Sequence, residues 1–176
     1  RYGVRNICGY PTSADGRLYA TVDELKKMRD LADANGISVD CLAPPFLSSS
    51  HIDREKHPAI MLAESPERDR DIEAMQTLIR NCAATGIPSI KYNMSTLGVL
   101  RSGRSPGRGD ATYSTWSLKN AHPEPALTRA GLVTGDMAWE RITYFLERIV
   151  PVAAEYKVRM ACHPHDPGMP EAEGFR

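Results

Sequence analysis

Between Cys162 and Asp166 the chain places a thiol, two imidazoles and a carboxylate in five positions: Cys162, His163, Pro164, His165 and Asp166. An apolar run, Val158 to Ala161, precedes them, and Pro167-Gly168 closes them. The pattern predicts a buried strand that ends where the polar groups begin. Such ends suit chemistry, because a rigid strand aims side chains that the following loop leaves open. Alternation along a strand puts His163 and His165 on one side and Cys162 on the other. Two neutral imidazoles on one face are a reasonable start to a divalent-metal site. The competing interpretation is a pair of surface histidines in a proline-rich turn.

The elements that would carry this segment can be traced from the start. Val4–Cys8 is expected to be a strand ending at Gly9-Tyr10-Pro11. Thr21 followed by Glu24 is a capping box, and Val22, Leu25, Met28, Leu31 and Ala32 recur at helical spacing up to Gly36. Ile37–Ala43 is a second strand, closed by Pro44-Pro45, and a polar loop with Ser48, Ser49, Ser50, His51 and His57 follows. Ser65-Pro66-Glu67 opens a second helix with proline at its first position, and Gly86 ends it. Ile87–Met94 is a third strand carrying Lys91, Tyr92 and Asn93. Ser95–Thr134 reads as one long irregular connection. Asp136 is expected to cap a third helix that Pro151 should kink or divide. Val158 starts the fourth strand.

The resulting order, β-α-β-α-β-loop-α-β, is that of a parallel sheet covered by helices. A three-layer sandwich and a (β/α)8 barrel both fit it. The short helix-to-strand turns and longer strand-to-helix connections put the site at the C-terminal ends of the strands. That edge collects Tyr10, Pro44, Tyr92, Asn93, His163, His165 and Asp166, a set suited to a polyhydroxylated ligand. Alternatively, Tyr92 and Asn93 are edge-of-core groups satisfied by loop backbone.

The connection 95–134 is far longer than the usual roughly 4–6 residues, as an active-site cover would be. It carries Arg101, Arg104 and Arg108 among glycines, able to grip a carboxylate or phosphate by paired hydrogen bonds, or simply to form a solvated basic loop. Arg101, nearest the strand end, is the best single candidate.

Composition narrows the partners. The 176 residues balance 22 basic against 22 acidic side chains. That balance gives no reason to expect nucleic acid or an anionic membrane, and no apolar run approaches the roughly 18 residues of a span. The four cysteines, 8, 41, 82 and 162, form no Cys-x-x-Cys, as expected of reduced thiols in a cytoplasmic protein.

Ile90-Lys91-Tyr92-Asn93-Met94, the Arg101 after it, Ala138-Trp139-Glu140-Arg141-Ile142 through Val150-Pro151-Val152-Ala153, and Met160-Ala161-Cys162-His163-Pro164 with Asp166-Pro167 together resemble mannonate dehydratase. The resemblance implies a xylose-isomerase-like TIM barrel, that is, a (β/α)8 fold of which this chain supplies about four β/α units. It implies a lyase that converts D-mannonate to 2-keto-3-deoxy-D-gluconate in glucuronate catabolism, with Mn2+ or another divalent metal such as Fe2+. By the same resemblance His163 is a metal ligand and Arg101 lies near the substrate; in the mechanism expected from this, His165 or Asp166 orients substrate or passes a proton. Tyr92 and Asn93 would bind hydroxyls and Arg101 the carboxylate of a small sugar acid. A homo-oligomer is the expected assembly.

One position departs from the family: its His-Pro-Asp-Asp-Pro reads His-Pro-His-Asp-Pro here. A barrel of this type needs about 250 residues, so the chain, a single domain over residues 1–176, is expected to be part of a longer protein. The family's other metal ligands, a cysteine, a histidine and an aspartate on later strands, would lie beyond Arg176. A sugar isomerase or epimerase of the same superfamily, or a non-catalytic sugar-binding relative, would share the fold.

Overall fold

The computed structural model describes residues 3–11, 13, 15–48, 52–120 and 127–165. Four strands lie side by side in chain order, all parallel: β1 (Asn6–Gly9), β2 (Ser38–Leu42), β3 (Ser89–Tyr92) and β6 (Arg159–Cys162). Parallel neighbours need crossovers, and helices supply them: α1 (Val22–Asp33), then α2 (Ala59–Leu62) with α3 (Glu67–Thr85), then α4 (Gly135–Glu155).

Local chemistry explains the boundaries. Thr21 accepts from the Glu24 amide while the Glu24 carboxylate accepts from the Thr21 amide, so the expected capping box starts α1. Gly86 ends α3 in the left-handed conformation, at φ 73°. One expectation about α4 is corrected. Its cap is Thr134, whose side chain accepts from the Met137 amide, and Asp136 instead lies in the first turn. Pro151 does not divide the helix. Pro151 and Glu147, whose carbonyl loses its amide partner, are both exposed, so water can satisfy that group.

The core lies between sheet and helices. Val39, Leu42, Ile90 and Val158 meet Leu25, Ile72, Met75, Leu78, Ile79, Cys82, Phe145 and Ile149, all buried in one cluster. Ile90 and Tyr92 share the helix-facing side of β3, and Tyr92 packs on Phe145 with ring centroids 5.4 Å apart. The opposite face of the sheet has no second layer within the described residues, and β1 and β6 each keep one strand edge unpaired.

The connection after β3 is not irregular throughout, as the sequence suggested. It folds into an antiparallel hairpin, β4 (Gly103–Pro106) with β5 (Thr112–Thr115), with one short 3-10 turn at Arg108–Asp110 between the strands and another at Leu118–Asn120 after them. The Tyr113 ring lies over Gly107: a Cβ at that position would fall 2.0 Å from the ring, and the exposed tyrosine would have to turn away. No described helix is long and apolar enough to cross a membrane.

Candidate functional site

The C-terminal ends of the parallel strands form one edge, and the expected residues can be placed on it. The β3–β6 ladder pairs Lys91 with Ala161 and Tyr92 with Cys162, and it continues through a bond of 2.7 Å from the His163 amide to the Tyr92 carbonyl. Parallel partners project to the same side, so Met160 and Cys162 face the helices. Ala161 and His163 face the open side with Lys91. His163 is therefore aimed as expected, but it is exposed and stands one residue past the strand. Its Nδ1 lies 3.0 Å from the Pro164 carbonyl. With the proton on Nδ1, Nε2 keeps a lone pair and has no partner among the described residues. This is the arrangement of a metal-binding imidazole held by a backbone carbonyl.

Tyr92 and Asn93 depart from the expectation that both offer groups to a hydroxylated ligand. Tyr92 is buried and turned toward the helix layer. Burial, and after it the neighbouring Cys162 thiol, pushes its hydroxyl up to about 12. Asn93 is 3% exposed and fully engaged: Nδ2 donates to the His163 carbonyl at 3.0 Å, and Oδ1 accepts from the Ser95 amide at 2.7 Å. Its own amide donates to Leu47 O at 2.7 Å. Asn93 thus ties the ends of β3 and β6 and the loop after β2 into one unit that carries His163. The alternative in which loop backbone satisfies it is the one observed.

His165 lies 3.2 Å, through Nε2, from the Gly98 carbonyl, so it ties the segment after β6 to the connection after β3. Asp166 falls outside the described residues. Arg101 is exposed and folds back on its own chain, with Nη1 2.7 Å from Leu100 O. Tyr10 and Lys91 do come together on the open face: Nζ is 3.2 Å from the phenol oxygen and 5.3 Å from the ring centroid.

Several polar groups at this edge carried no distinct motif. Glu55, 7% exposed, accepts from the amides of Leu47 and His57, both at 3.2 Å. Arg129 reaches the same loop through the Glu55 carbonyl and Asp53, so the long connection after β3 is pinned to the loop after β2. A cavity of about 470 Å³ opens between the β1–α1 loop and α3, lined by Arg17, Tyr19, His57, Arg70 and Thr77. It does not include His163. Beside it, buried Asp71 takes Arg70 on Oδ1 at 3.1 Å, and its Oδ2 has no partner among the described residues.

Among the described residues no three His, Cys, Asp or Glu side chains converge to hold a metal. His163 fits as one ligand of such a site, and a complete set needs donors from outside the described residues. Comparison with known proteins adds to this geometry. The mannonate dehydratase of Shouchella clausii (strain KSM-K16) is 49% identical over 179 residues, which cover 83% of this chain and 47% of that protein.

The chain is similar to mannonate dehydratases over most of its own length. The D-mannonate dehydratase (UxuA) family model matches residues 126–175, which include α4, β6 and the histidine segment. The mannonate dehydratase of Streptococcus pneumoniae (strain 70585) is 31% identical over 58% of this chain and 35% of its own length. The crystal structure of mannonate dehydratase from Streptococcus suis serotype 2 superposes with a TM-score of 0.73 at 24% identity, over 93% of this chain and 46% of that one. The chain thus spans about half the length of the mannonate dehydratases it matches, and its four β/α units are part of a (β/α)8 barrel.

Proposed function

We propose that the full-length protein carrying this chain is a hydro-lyase that dehydrates D-mannonate to 2-keto-3-deoxy-D-gluconate with a divalent metal, Mn2+ or Fe2+. The observation that carries the proposal is His163: an exposed imidazole just past a strand's C-terminal end, with Nδ1 3.0 Å from the Pro164 carbonyl and no partner for Nε2 among the described residues.

The reaction takes a proton from carbon 2 of the sugar acid and releases hydroxide from carbon 3; the resulting enol then tautomerises to the 2-keto acid. A bound divalent cation would supply charge stabilisation to the carboxylate and the enolate-like intermediate. In this chain His163 would be one ligand, and Asn93 would fix its backbone. Arg101 would meet the substrate carboxylate on reorienting away from Leu100 O. His165 and Asp166 would orient substrate or relay a proton. Tyr92 and Asn93 would act from beneath, by holding the strand ends rather than touching hydroxyls.

The test is incubation of the metal-loaded full-length protein with D-mannonate and detection of the 2-keto-3-deoxy acid. Formation of that acid supports the proposal. An isomerised or epimerised sugar acid without loss of water would replace it with an isomerase reading.

A further inference from the structure

Two cysteines that the proposed reaction leaves unused meet on neighbouring strands. Cys8 and Cys41 are direct partners across the parallel β1–β2 ladder, each one residue before its strand ends. Ladder partners project to the same side, and the Cys41 thiol is close enough to help hold the Cys8 thiol up, after burial. Each also lies 3.9 Å from the next residue's carbonyl, Gly9 O and Leu42 O respectively. Neighbouring strands run about 4.8 Å apart, inside the roughly 4.4–6.8 Å between Cα atoms that a disulfide accepts. The ladder is irregular there: Ile7 pairs with Val39 and Cys8 with Cys41, so Asp40 of β2 is an extra, unpaired residue beside Cys41.

The other two cysteines differ. Cys82 is fully buried on α3, and burial pushes its thiol up to about 12. Cys162 is exposed, and its neighbour is the Tyr92 hydroxyl. Cys8 and Cys41 are both half-buried at the edge where the strands end. Burial and then the Cys41 thiol hold the Cys8 thiol up, and the Lys91 ammonium offsets part of that rise.

We propose that Cys8 and Cys41 are a dithiol modification site, which a small-molecule disulfide of the glutathione type closes to a cross-strand disulfide. In the first step one protein thiolate attacks the small disulfide; its S–S bond breaks, a mixed disulfide forms and one small thiol leaves. In the second, the other protein thiolate attacks the protein-side sulfur; the Cys8–Cys41 bond forms and the second small thiol leaves. Two electrons pass from the cysteine pair to the small disulfide. The two thiol protons end on the released thiols. Closure is intramolecular and outpaces attack by a second small molecule.

The experiment treats the full-length native protein with oxidised glutathione and maps tryptic peptides without reduction. The expected result is a covalent link between peptides 6–17 and 30–54, with loss of two titratable thiols that dithiothreitol restores. Cys162→Ser should close equally well, whereas Cys8→Ser should retain glutathione on Cys41. Stable glutathione adducts on both Cys8 and Cys41 of the unsubstituted protein would overturn the proposal. So would modification confined to Cys162, or no reaction at either partner while Cys162 is labelled. The mapping on unsubstituted protein decides the matter even if a serine variant folds poorly.

Discussion

Replacing Asn93 with Ala removes the brace beneath the candidate metal ligand, and the cost follows from its contacts. Nδ2 serves the His163 carbonyl at 3.0 Å and Oδ1 serves the Ser95 amide at 2.7 Å, with the side chain almost fully buried. A buried group stripped of its partner costs about 1–3 kcal/mol. The His163 carbonyl sits at the open strand end, where water can replace the lost donor, so that loss falls at the low end. The Ser95 amide is more enclosed. Together the substitution should cost about 2–3 kcal/mol. With a urea slope of roughly 2 kcal/mol/M, the unfolding midpoint should fall by about 1 M.

Asn93→Asp separates the two bonds, since it keeps an acceptor for Ser95 but turns an oxygen toward the His163 carbonyl. It should be destabilised as well and should bind metal more weakly in the full-length protein. Urea titrations followed by circular dichroism, with metal content measured in parallel, provide the assay. An Asn93→Ala midpoint within about 0.2 M of the parent, with unchanged metal affinity, would refute the brace.

Other perturbations read other parts of the fold. The thiol of Cys82 is held up from 9.0 to about 12 by burial and then by Cys41, and Tyr92 is held up from 10.0 to about 12 by burial and then by Cys162. Both groups stay protonated longer in the folded state than in the unfolded chain. Stability is therefore full below pH 9 and lost as pH rises toward 12, and Tyr92→Phe should flatten the loss above pH 10 in a pH series of urea midpoints. Thr21→Ala removes one half of the capping box and should cost about 1 kcal/mol by the same titration. Tyr144 is sandwiched between the guanidiniums of Arg68 and Arg148, at 3.6 and 3.3 Å from the ring centroid, and donates to Asp69 at 2.5 Å. Tyr144→Ala should lower stability by about 2 kcal/mol, with Tyr144→Phe losing only the hydroxyl share.

How far the sequence disclosed this architecture depends on the length of each signal. α1, α3 and α4 announce themselves through apolar stripes of several turns, and the strands through short apolar runs between them. α2 has four residues, too few for any period to show. The hairpin was illegible for a different reason. Gly103, Arg104, Ser105 and Pro106 are all exposed, so nothing buried one face and imposed an apolar alternation. Its ladder is held by backbone bonds and by Arg104 reaching across to Thr112 at 3.1 Å.

At the site, the direction of His163 was readable from alternation alone. Its exposure was not, because the face it points to belongs to a barrel of which the chain supplies part. Tyr92 could have been assigned to the core from parity: it shares its side of β3 with Ile90, an unmistakable core residue. Asn93 as a brace, and Cys8 opposite Cys41, depend on which strands become neighbours. One-dimensional spacing does not carry that information.

The account depends most on His163 as a metal ligand in a dehydratase. The direct measurement compares full-length protein with its His163→Ala variant, reading metal per chain after loading with Mn2+ and turnover of D-mannonate on the same samples. The account predicts that the parent holds the metal and forms the 2-keto-3-deoxy acid, while the folded variant loses both. A folded variant with the parent's metal content and rate would contradict it.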